Sequence, residues 1–274
     1  MRSDLGQLAL DLVRGAFMEL YLTPKPGLVD LNDSGSHRDL SLHTMEASLR
    51  IVSRYLADLG DSLGQGEELA AQVRLGMAAE KTMLETLGTN CHKGYIFLSG
   101  LLLCASSGVP PREEGALSRA VALLAARFFS DADQPESNGS RARSAYRAGG
   151  VRGEALAGFP SLFDAALPAF RGEIASGGNR GSAVYAMLGR LMATVEDTTA
   201  LHRCGMQGLT MLREDGRTLE LMVAQRRDFI GFLAQRNERY VSLNLTMGGV
   251  ADMLALSFAW LSYTGELELA TEQD

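Results

Sequence analysis

The sequence predicts an all-α fold, and three observations support this. Apolar residues recur at helical spacing along most of the chain, as in the series Leu5, Leu8 and Leu12. Alternating β-branched segments are almost absent, and no convincing strand exceeds about four residues. No linker is long enough to require a second domain. We therefore expect a single multi-helix domain over residues 1–274.

The apolar stripes define the predicted helices in order. The first stripe continues beyond Leu12 to Gly15 and Glu19. Later stripes run from Leu117 to Phe128 and from Leu219 to Leu233. The apolar segment 94–109 is shorter than the roughly 20 residues of a membrane span, so we expect a buried helix there. The predicted helices cover 4–21, 41–59, 67–87, 95–107, 112–129, 140–147, 160–170, 180–194, 199–213, 217–236 and 248–262.

Charge and cysteine content restrict the class of protein. Lys and Arg number 26 and Asp and Glu 33, and a net charge of −7 argues against nucleic acid as a partner. A local basic pocket for a small phosphorylated ligand remains compatible with this charge. Cys91, Cys104 and Cys204 are odd in number and widely spaced, which predicts no disulfide framework and fits a reducing cytoplasm. The N-terminal segment carries Asp4 and Asp11 and does not resemble a signal peptide.

The glycine-rich loops carry the residues that could do chemistry. Loops on a rigid scaffold are a frequent place for binding and catalytic groups. Segment 130–140 is the most loop-like part of the chain. Five other loops combine glycine with charged or amide side chains, namely 23–39, 88–94, 149–160, 195–205 and 244–252. We expect these five to converge on one cleft.

The first of these loops follows a carboxylate on the apolar stripe. Glu19 must be paired or bonded if it is buried, or it must reach solvent at the helix end. In the loop, Lys25 could bind a phosphate and Asp30 could bind a metal ion. His37 or Asp39 could transfer a proton. The same segment also fits an ordinary Pro/Gly connector.

Two further loops precede predicted helices. Asn90, His92 and Lys93 lie where free backbone N–H groups and the helix dipole favour an anion, although a simple helix entry explains them too. Glu196 and Asp197 are adjacent carboxylates, which are typical of magnesium sites and equally of helix N-termini.

The remaining loops add weaker candidates. Arg152 and Glu154 lie in one loop, and Asn244 and Asp252 bound another. The chain has neither a GxSxG nucleophile elbow nor a GxxxxGK[ST] phosphate loop. The sequence thus indicates neither a serine hydrolase nor a P-loop enzyme.

Together these loops resemble the triphosphoribosyl-dephospho-CoA synthase family. The matching blocks, in order, are PKPGLVD with Gly35, His37 and Asp39, then TNCHKGYIF, GVRGEALAGFP, EDTT with Arg203, and NLTMGGVADMLA. They extend from about Glu19 to Leu256. The family pattern has Thr, Asn and Pro where this chain has Cys91, Thr199 and Met247.

The resemblance implies a cytoplasmic, helical enzyme that joins ATP to 3′-dephospho-CoA and releases adenine. The product is the precursor of the prosthetic group on the acyl carrier subunit of citrate lyase or malonate decarboxylase. The resemblance also implies a Mg²⁺ ion that accompanies the triphosphate. The expected ligands of this ion are Asp30, Glu196 and Asp197. The expected catalytic groups are then Glu19, His37 and Glu154, with either His37 or Glu154 as the general base. The expected substrate-binding residues are Lys25, Asp39, Asn90, His92, Lys93, Arg152, Arg203, Asn244 and Asp252.

Two other classes of function remain open at this point. A nucleotide N-glycosidase would use the same loops but let water attack the sugar. A non-catalytic nucleotide-binding or carrier-protein-binding module would bind without releasing adenine. The oligomeric state is not indicated by the sequence.

Overall fold

The computed structural model describes residues 2–131 and 148–267, in which helices joined by loops are the regular structure and no β-strand occurs. The helices are α1 (Arg2–Tyr21), α2 (Leu42–Gln65), α3 (Leu69–Leu87), α4 (Lys93–Ser106), α5 (Glu114–Asp131), α6 (Gly150–Leu156), a π-helical segment (Ser161–Ala166), α7 (Leu167–Ala175), α8 (Arg180–Thr194), α9 (Thr198–Ala224), α10 (Phe229–Leu243) and α11 (Gly248–Thr264). The prediction of an all-α fold is confirmed. None of the helices in the described part of the chain has both the length and the apolar character needed to cross a bilayer.

Helix α11 lies at the centre of the packing. It contacts α1, α4, α8, α9 and the π-helical segment, and all of its residues from Met253 to Leu261 are buried. One contiguous cluster of buried apolar side chains runs from α1 to α11. This core brings the C-terminal end of α1 close to the N-terminal ends of α4 and α11.

Helices α1 and α11 touch through their backbones. A Cβ atom at Gly15 would collide with the carbonyl oxygen of Ala255 and would lie 2.5 Å from the amide nitrogen of Ala259. Only glycine permits this approach. The position of α11 relative to α1 therefore depends on a missing side chain.

The predicted boundary between helices over 199–213 and 217–236 is wrong. Helix α9 continues to Ala224, and α10 begins at Phe229. Gly216 lies inside α9, and a Cβ atom there would be 2.6 Å from the Gly189 oxygen of α8. The glycine thus allows two helices to pack closely and does not end one. The backbone of α9 departs from helical geometry earlier, at Gly205 (φ 62°).

Other predicted boundaries shift for local reasons. The predicted loop 149–160 contains α6, and the predicted helix 160–170 divides into the π-helical segment and the start of α7. The loops 195–205 and 244–252 end early, because helices already begin at Thr198 and Gly248. The predicted helix 140–147 and most of the predicted loop 130–140 lie outside the described residues.

One carboxylate joins the starts of α9 and α11. Asp197 is fully buried, and its Oδ1 accepts hydrogen bonds from the backbone N–H groups of Thr199 and Ala200, both at 2.9 Å. Its Oδ2 accepts from the N–H of Val250 in the first turn of α11, also at 2.9 Å. Of the two interpretations of Asp197, magnesium ligand or helix cap, the observed contacts are those of a helix cap. The starts of both α9 and α11 depend on this side chain.

Gly15→Ala should lower the free energy of unfolding by about 1–3 kcal/mol, because the added methyl group must separate α1 from α11. Urea denaturation measures the change. Gly6→Ala in the same helix is the matched control, since no atom lies within 4 Å of the added Cβ. There the better helix propensity should raise stability by up to about 1 kcal/mol. Equal midpoints for the two variants would contradict the close contact.

Asp197→Ala should destabilise the unliganded protein by about 2–4 kcal/mol, because it removes a helix cap and leaves a buried N–H group without an acceptor. Thermal and urea unfolding without ligand measure this. The control is Asp228→Ala, which removes the exposed cap of α10 at Gly231 and should cost about 1 kcal/mol. A loss no larger than that of the control would mean that Asp197 does not join the two helices.

Candidate active site

A small cavity lies between the end of α1, the loop over 22–41 and the starts of α4 and α11. Its wall includes the polar side chains of Glu19, His37, His92 and Asp252. Its volume is about 70 Å³, whereas pockets that enclose a drug-sized ligand measure about 300–1,000 Å³. The cavity can therefore surround reacting groups but not a whole nucleotide.

A buried ion pair between Lys25 and Glu19 lies at one wall of the cavity. Lys25 is only 1% exposed, and its ammonium group lies 2.5 Å from Oε1 of Glu19 and also donates to the Glu19 carbonyl oxygen. Burial raises the pKa of Glu19, and the charge of Lys25 opposes that rise. The prediction that Lys25 binds the triphosphate does not agree with this placement, because its ammonium group is enclosed and already bound.

The loop after Lys25 folds around Asp30. Its Oδ2 accepts from the backbone N–H of Lys25 at 2.9 Å, and its Oδ1 accepts from the N–H of Asn32 at 2.8 Å. Gly27 adopts φ 71° and packs so closely on the Leu245 carbonyl that a Cβ atom would collide with it. The first loop is thereby fixed against the loop before α11.

His37 is held at both ring nitrogens. Its Nε2 lies 3.0 Å from Oγ1 of Thr246, and its Nδ1 lies 3.3 Å from Nη2 of Arg203. Burial, together with the charge of Arg203, lowers the pKa of His37 to about 4. Arg203 also donates to the carbonyl of Ser36 at 2.7 Å and to Oδ1 of Asn244 at 3.2 Å. His37 lines the cavity, but its ring nitrogens are already used within the protein.

His92 occupies the opposite wall, at the start of α4. Its Nδ1 lies 2.5 Å from Oγ of Ser48, and Nε2, on the other side of the ring, has no hydrogen-bond partner among the described residues. Burial lowers the pKa of His92 to about 4, and the nearby charge of Lys25 acts in the same direction. The ring is therefore neutral near pH 7, with Nε2 left for the cavity.

Asp252 faces the start of α4 from the first turns of α11. Its Oδ2 occupies the space that a Cβ atom on Gly94 would fill. Its carboxylate has no hydrogen-bond partner in the described part of the chain. Burial, with the charges of Glu19 and Asp197, raises the pKa of Asp252 well above its usual value. Two carboxylates thus face one cavity, one paired with a lysine and one without a partner.

The acidic residue Glu80 holds the loop before α4 through two contacts. Glu80 of α3 lies 3.0 Å from Nζ of Lys93 and accepts from Nδ2 of Asn90 at 3.4 Å. Oδ1 of Asn90 is buried and has no hydrogen-bond partner among the residues that the structure describes. Lys93 itself is exposed, so it can reach a phosphate only outside the cavity.

The other predicted residues do not line the cavity. Asp39 is exposed, and its charge acts on His37 and Cys91. The Arg152 guanidinium stacks 4.7 Å from the centroid of the Phe129 ring. Glu154 accepts hydrogen bonds from the N–H and hydroxyl of Ser161.

Glu154 therefore does not take the position of a catalytic base in the cavity wall. Burial and the charge of Glu196 raise its pKa. Glu196 is exposed and accepts from the backbone N–H of Gly149 at 2.6 Å.

The predicted magnesium ligands do not form one ligand set. Asp30 and Asp197 use both carboxylate oxygens as acceptors of backbone N–H groups, whereas Glu196 binds Gly149. Within residues 2–131 and 148–267, no group of three or more His, Cys, Asp and Glu side chains could hold a metal ion. These residues therefore do not fit a metal centre made by protein ligands alone.

Three residues of the site were not predicted. Ser48, Glu80 and Thr246 contact predicted residues; Ser48 and Glu80 lie outside every motif, and Thr246 lies in the block NLTMGGVADMLA without having been singled out. A weak signal exists for Ser48, which lies on the buried stripe of α2 with Val52, Tyr55 and Leu59. A polar residue at such a position needs a partner, and here the partner is His92.

The comparisons with known proteins agree with the resemblance noted in the sequence. A family model described as ATP:dephospho-CoA triphosphoribosyl transferase matches residues 5–270. A protein of Azotobacter vinelandii, named "Probable 2-(5''-triphosphoribosyl)-3'-dephosphocoenzyme-A synthase", is 36% identical over 270 residues, which cover 93% of this chain and 91% of the relative. A protein of Pectobacterium atrosepticum, named "2-(5''-triphosphoribosyl)-3'-dephosphocoenzyme-A synthase", is 34% identical over 261 residues, with coverage of 90% and 85%.

No solved structure matches the chain. The family model nevertheless covers almost all of it, and the relatives align over most of their own length. The expected family is thus confirmed: the chain belongs to the ATP:dephospho-CoA triphosphoribosyl transferase family.

Proposed function

We propose that the chain transfers the 5-triphosphoribosyl group of ATP to the 2′-hydroxyl of 3′-dephospho-CoA, and that the reacting atoms meet in the cavity between Glu19, His92 and Asp252. The observation that carries this placement is the unpartnered carboxyl group of Asp252, which shares a cavity with a neutral histidine and a lysine-paired carboxylate. Paired groups with different protonation are suited to acid–base chemistry.

The reaction exchanges one bond to the anomeric carbon of ATP for another. The bond from this carbon to N9 of adenine breaks, and a bond to the 2′-oxygen of dephospho-CoA forms. The hydroxyl loses a proton and the departing adenine gains one, so the balance requires an acceptor and a donor. Positioned groups of this kind typically contribute about 10²–10⁴-fold to a rate.

Asp252 and His92 are the groups we assign to these two transfers. Burial raises the pKa of Asp252 well above its usual value, which favours the protonated form that can donate a proton to the departing adenine. Nε2 of His92 can accept the hydroxyl proton as the new bond forms. The proton then returns from His92 to Asp252, and both groups recover their initial state. This differs from the sequence-based choice of His37 or Glu154 as base, because both of those side chains are already engaged.

Glu19 is suited to a different task. Its pairing with Lys25 favours the ionised form against the effect of burial. A fixed carboxylate near the anomeric carbon stabilises the positive charge that develops as adenine leaves. Lys25 thus serves the reaction through Glu19 and not through a phosphate.

The triphosphate must lie outside the cavity, because the cavity is too small to hold it. Lys93 and Arg152 are exposed cations on the surrounding elements and can bind phosphate oxygens there. We propose that Mg²⁺ arrives with ATP and keeps most of its water, as this ion does at sites with few carboxylates. Of the three predicted metal ligands, only Glu196 is exposed, and we assign it to this ion.

The wider role follows from the product. We propose that it supplies the prosthetic group of an acyl carrier subunit in a citrate lyase or malonate decarboxylase, and that the protein acts in the cytoplasm. The three cysteines are all free, which suits a reducing compartment.

Incubation with Mg-ATP and 3′-dephospho-CoA should release adenine and form an adduct that retains all three phosphates of ATP. Mass spectrometry of the products tests this. A sample with a chelator tests the magnesium requirement and should show no turnover. Adenine with free ribose triphosphate would indicate a glycosidase. ADP or AMP would indicate a phosphoryl or nucleotidyl transfer. ATP that is bound but intact would indicate a binding module. Each of these three results would overturn the proposal.

Asp252→Asn should reduce kcat by about 10²–10⁴-fold, because the amide cannot donate a proton to adenine. Gly94→Ala should have a related effect, since the new Cβ displaces the Asp252 carboxyl group. A shift of about 1 Å in a reacting group can cost about 10²-fold. Both variants should keep the helical content of the wild type. Gly6→Ala is the control for a helical Gly→Ala change far from the cavity and should retain full activity. Full activity in Asp252→Asn would exclude this residue as the proton donor.

A further inference from the structure

Ser48 is fully buried in α2 and touches two groups at hydrogen-bond distance. Its Oγ lies 2.7 Å from the carbonyl oxygen of Met45, one turn earlier in the same helix, and 2.5 Å from Nδ1 of His92. Neither the sequence motifs nor the family blocks include this serine.

Cys91 Sγ also lies 3.6 Å from Nδ1 of His92, which is a longer and weaker contact. The two short contacts of Ser48 therefore decide where the protons lie. A serine hydroxyl carries one proton, and a carbonyl oxygen can only accept. The proton of Ser48 therefore goes to Met45, and the second contact is a hydrogen bond only if Nδ1 of His92 supplies the other proton. A neutral imidazole with its proton on Nδ1 has a lone pair on Nε2.

We propose that Ser48 is a positioning residue that holds His92 in the tautomer with the proton on Nδ1, so that Nε2 presents its lone pair to the 2′-hydroxyl of dephospho-CoA. The role in catalysis rests on the proposed function, whereas the tautomer itself does not. The hydrogen bond to Ser48 persists when Nε2 gains a proton, because Nδ1 donates in both states. Ser48 thus fixes the ring through the whole cycle of proton transfer.

Nitrogen NMR of the wild-type protein near pH 7 tests the tautomer directly. The chain has four histidines, and His92→Gln identifies the signals of His92. We expect Nδ1 of His92 to give the signal of a protonated nitrogen and Nε2 that of an unprotonated one. The reverse pattern would overturn the proposal whether or not the chain proves to be a transferase.

Steady-state kinetics test the functional consequence. Ser48→Ala should lower kcat by about 10–100-fold, as loss of a group that orients a catalytic side chain does. The KM values for both substrates should stay within about twofold, because the serine touches neither of them. The NMR spectrum of Ser48→Ala should show a population with the proton on Nε2.

Two variants separate positioning from packing. Ser48→Thr keeps a hydroxyl that can bond to the carbonyl one turn earlier, and it should recover most of the activity. Ser257→Ala removes another fully buried serine that donates to a carbonyl of its own helix, Met253, but touches no histidine. It should retain wild-type kcat. Equal losses in Ser48→Ala and Ser257→Ala, or a loss confined to KM, would show that Ser48 acts only in packing.

Discussion

The ion pair between Lys25 and Glu19 is the interaction on which the candidate site depends. Two opposite charges are removed from water there, which is costly unless further hydrogen bonds complete the pair. The carbonyl oxygen of Glu19 supplies one such bond to the same ammonium group. Because Glu19 lies near the end of α1 and Lys25 near the start of the following loop, the pair determines where this loop leaves the helix. Loss of either partner would leave a buried charge without a counterion.

The loop fixed in this way connects distant parts of the chain. Ser36 donates to the Leu245 carbonyl at 2.6 Å and its own carbonyl accepts from Arg203, so the loop contacts both α9 and the connection before α11. Asp197 then joins the starts of α9 and α11. Each of these links is a polar contact between a side chain and a backbone group. Such contacts place the reactive groups without using the side chains that face the cavity.

The sequence was sufficient for the fold class and for three of the five loops expected at the site, because helical periodicity and glycine-rich polar loops are local signals. Loops 23–39, 88–94 and 244–252 line the cavity, whereas loops 149–160 and 195–205 contribute no lining residue. The sequence was insufficient wherever a residue serves a contact distant in sequence. Gly216 is a residue type that is typical of helix ends, but here it lies inside α9 and permits close packing on α8. Lys25 has the chemistry of a phosphate ligand but is enclosed beside Glu19. Ser48 carries no local signal of its bond to His92, since the two are 44 positions apart. The role of each of these residues depends on its burial and on its contact partner, and a local sequence motif specifies neither.

The small volume of the cavity has a consequence for the fate of the sugar. Once adenine starts to leave, the anomeric carbon accepts any oxygen within reach, and water is the most abundant. If the sugar carbon and the incoming hydroxyl meet in this space of about 70 Å³, as proposed, they take up room that a competing water molecule would otherwise occupy. Exclusion of water would then favour transfer over hydrolysis. A variant with a wider cavity at this point would lose more ATP to hydrolysis, even with every reactive side chain in place.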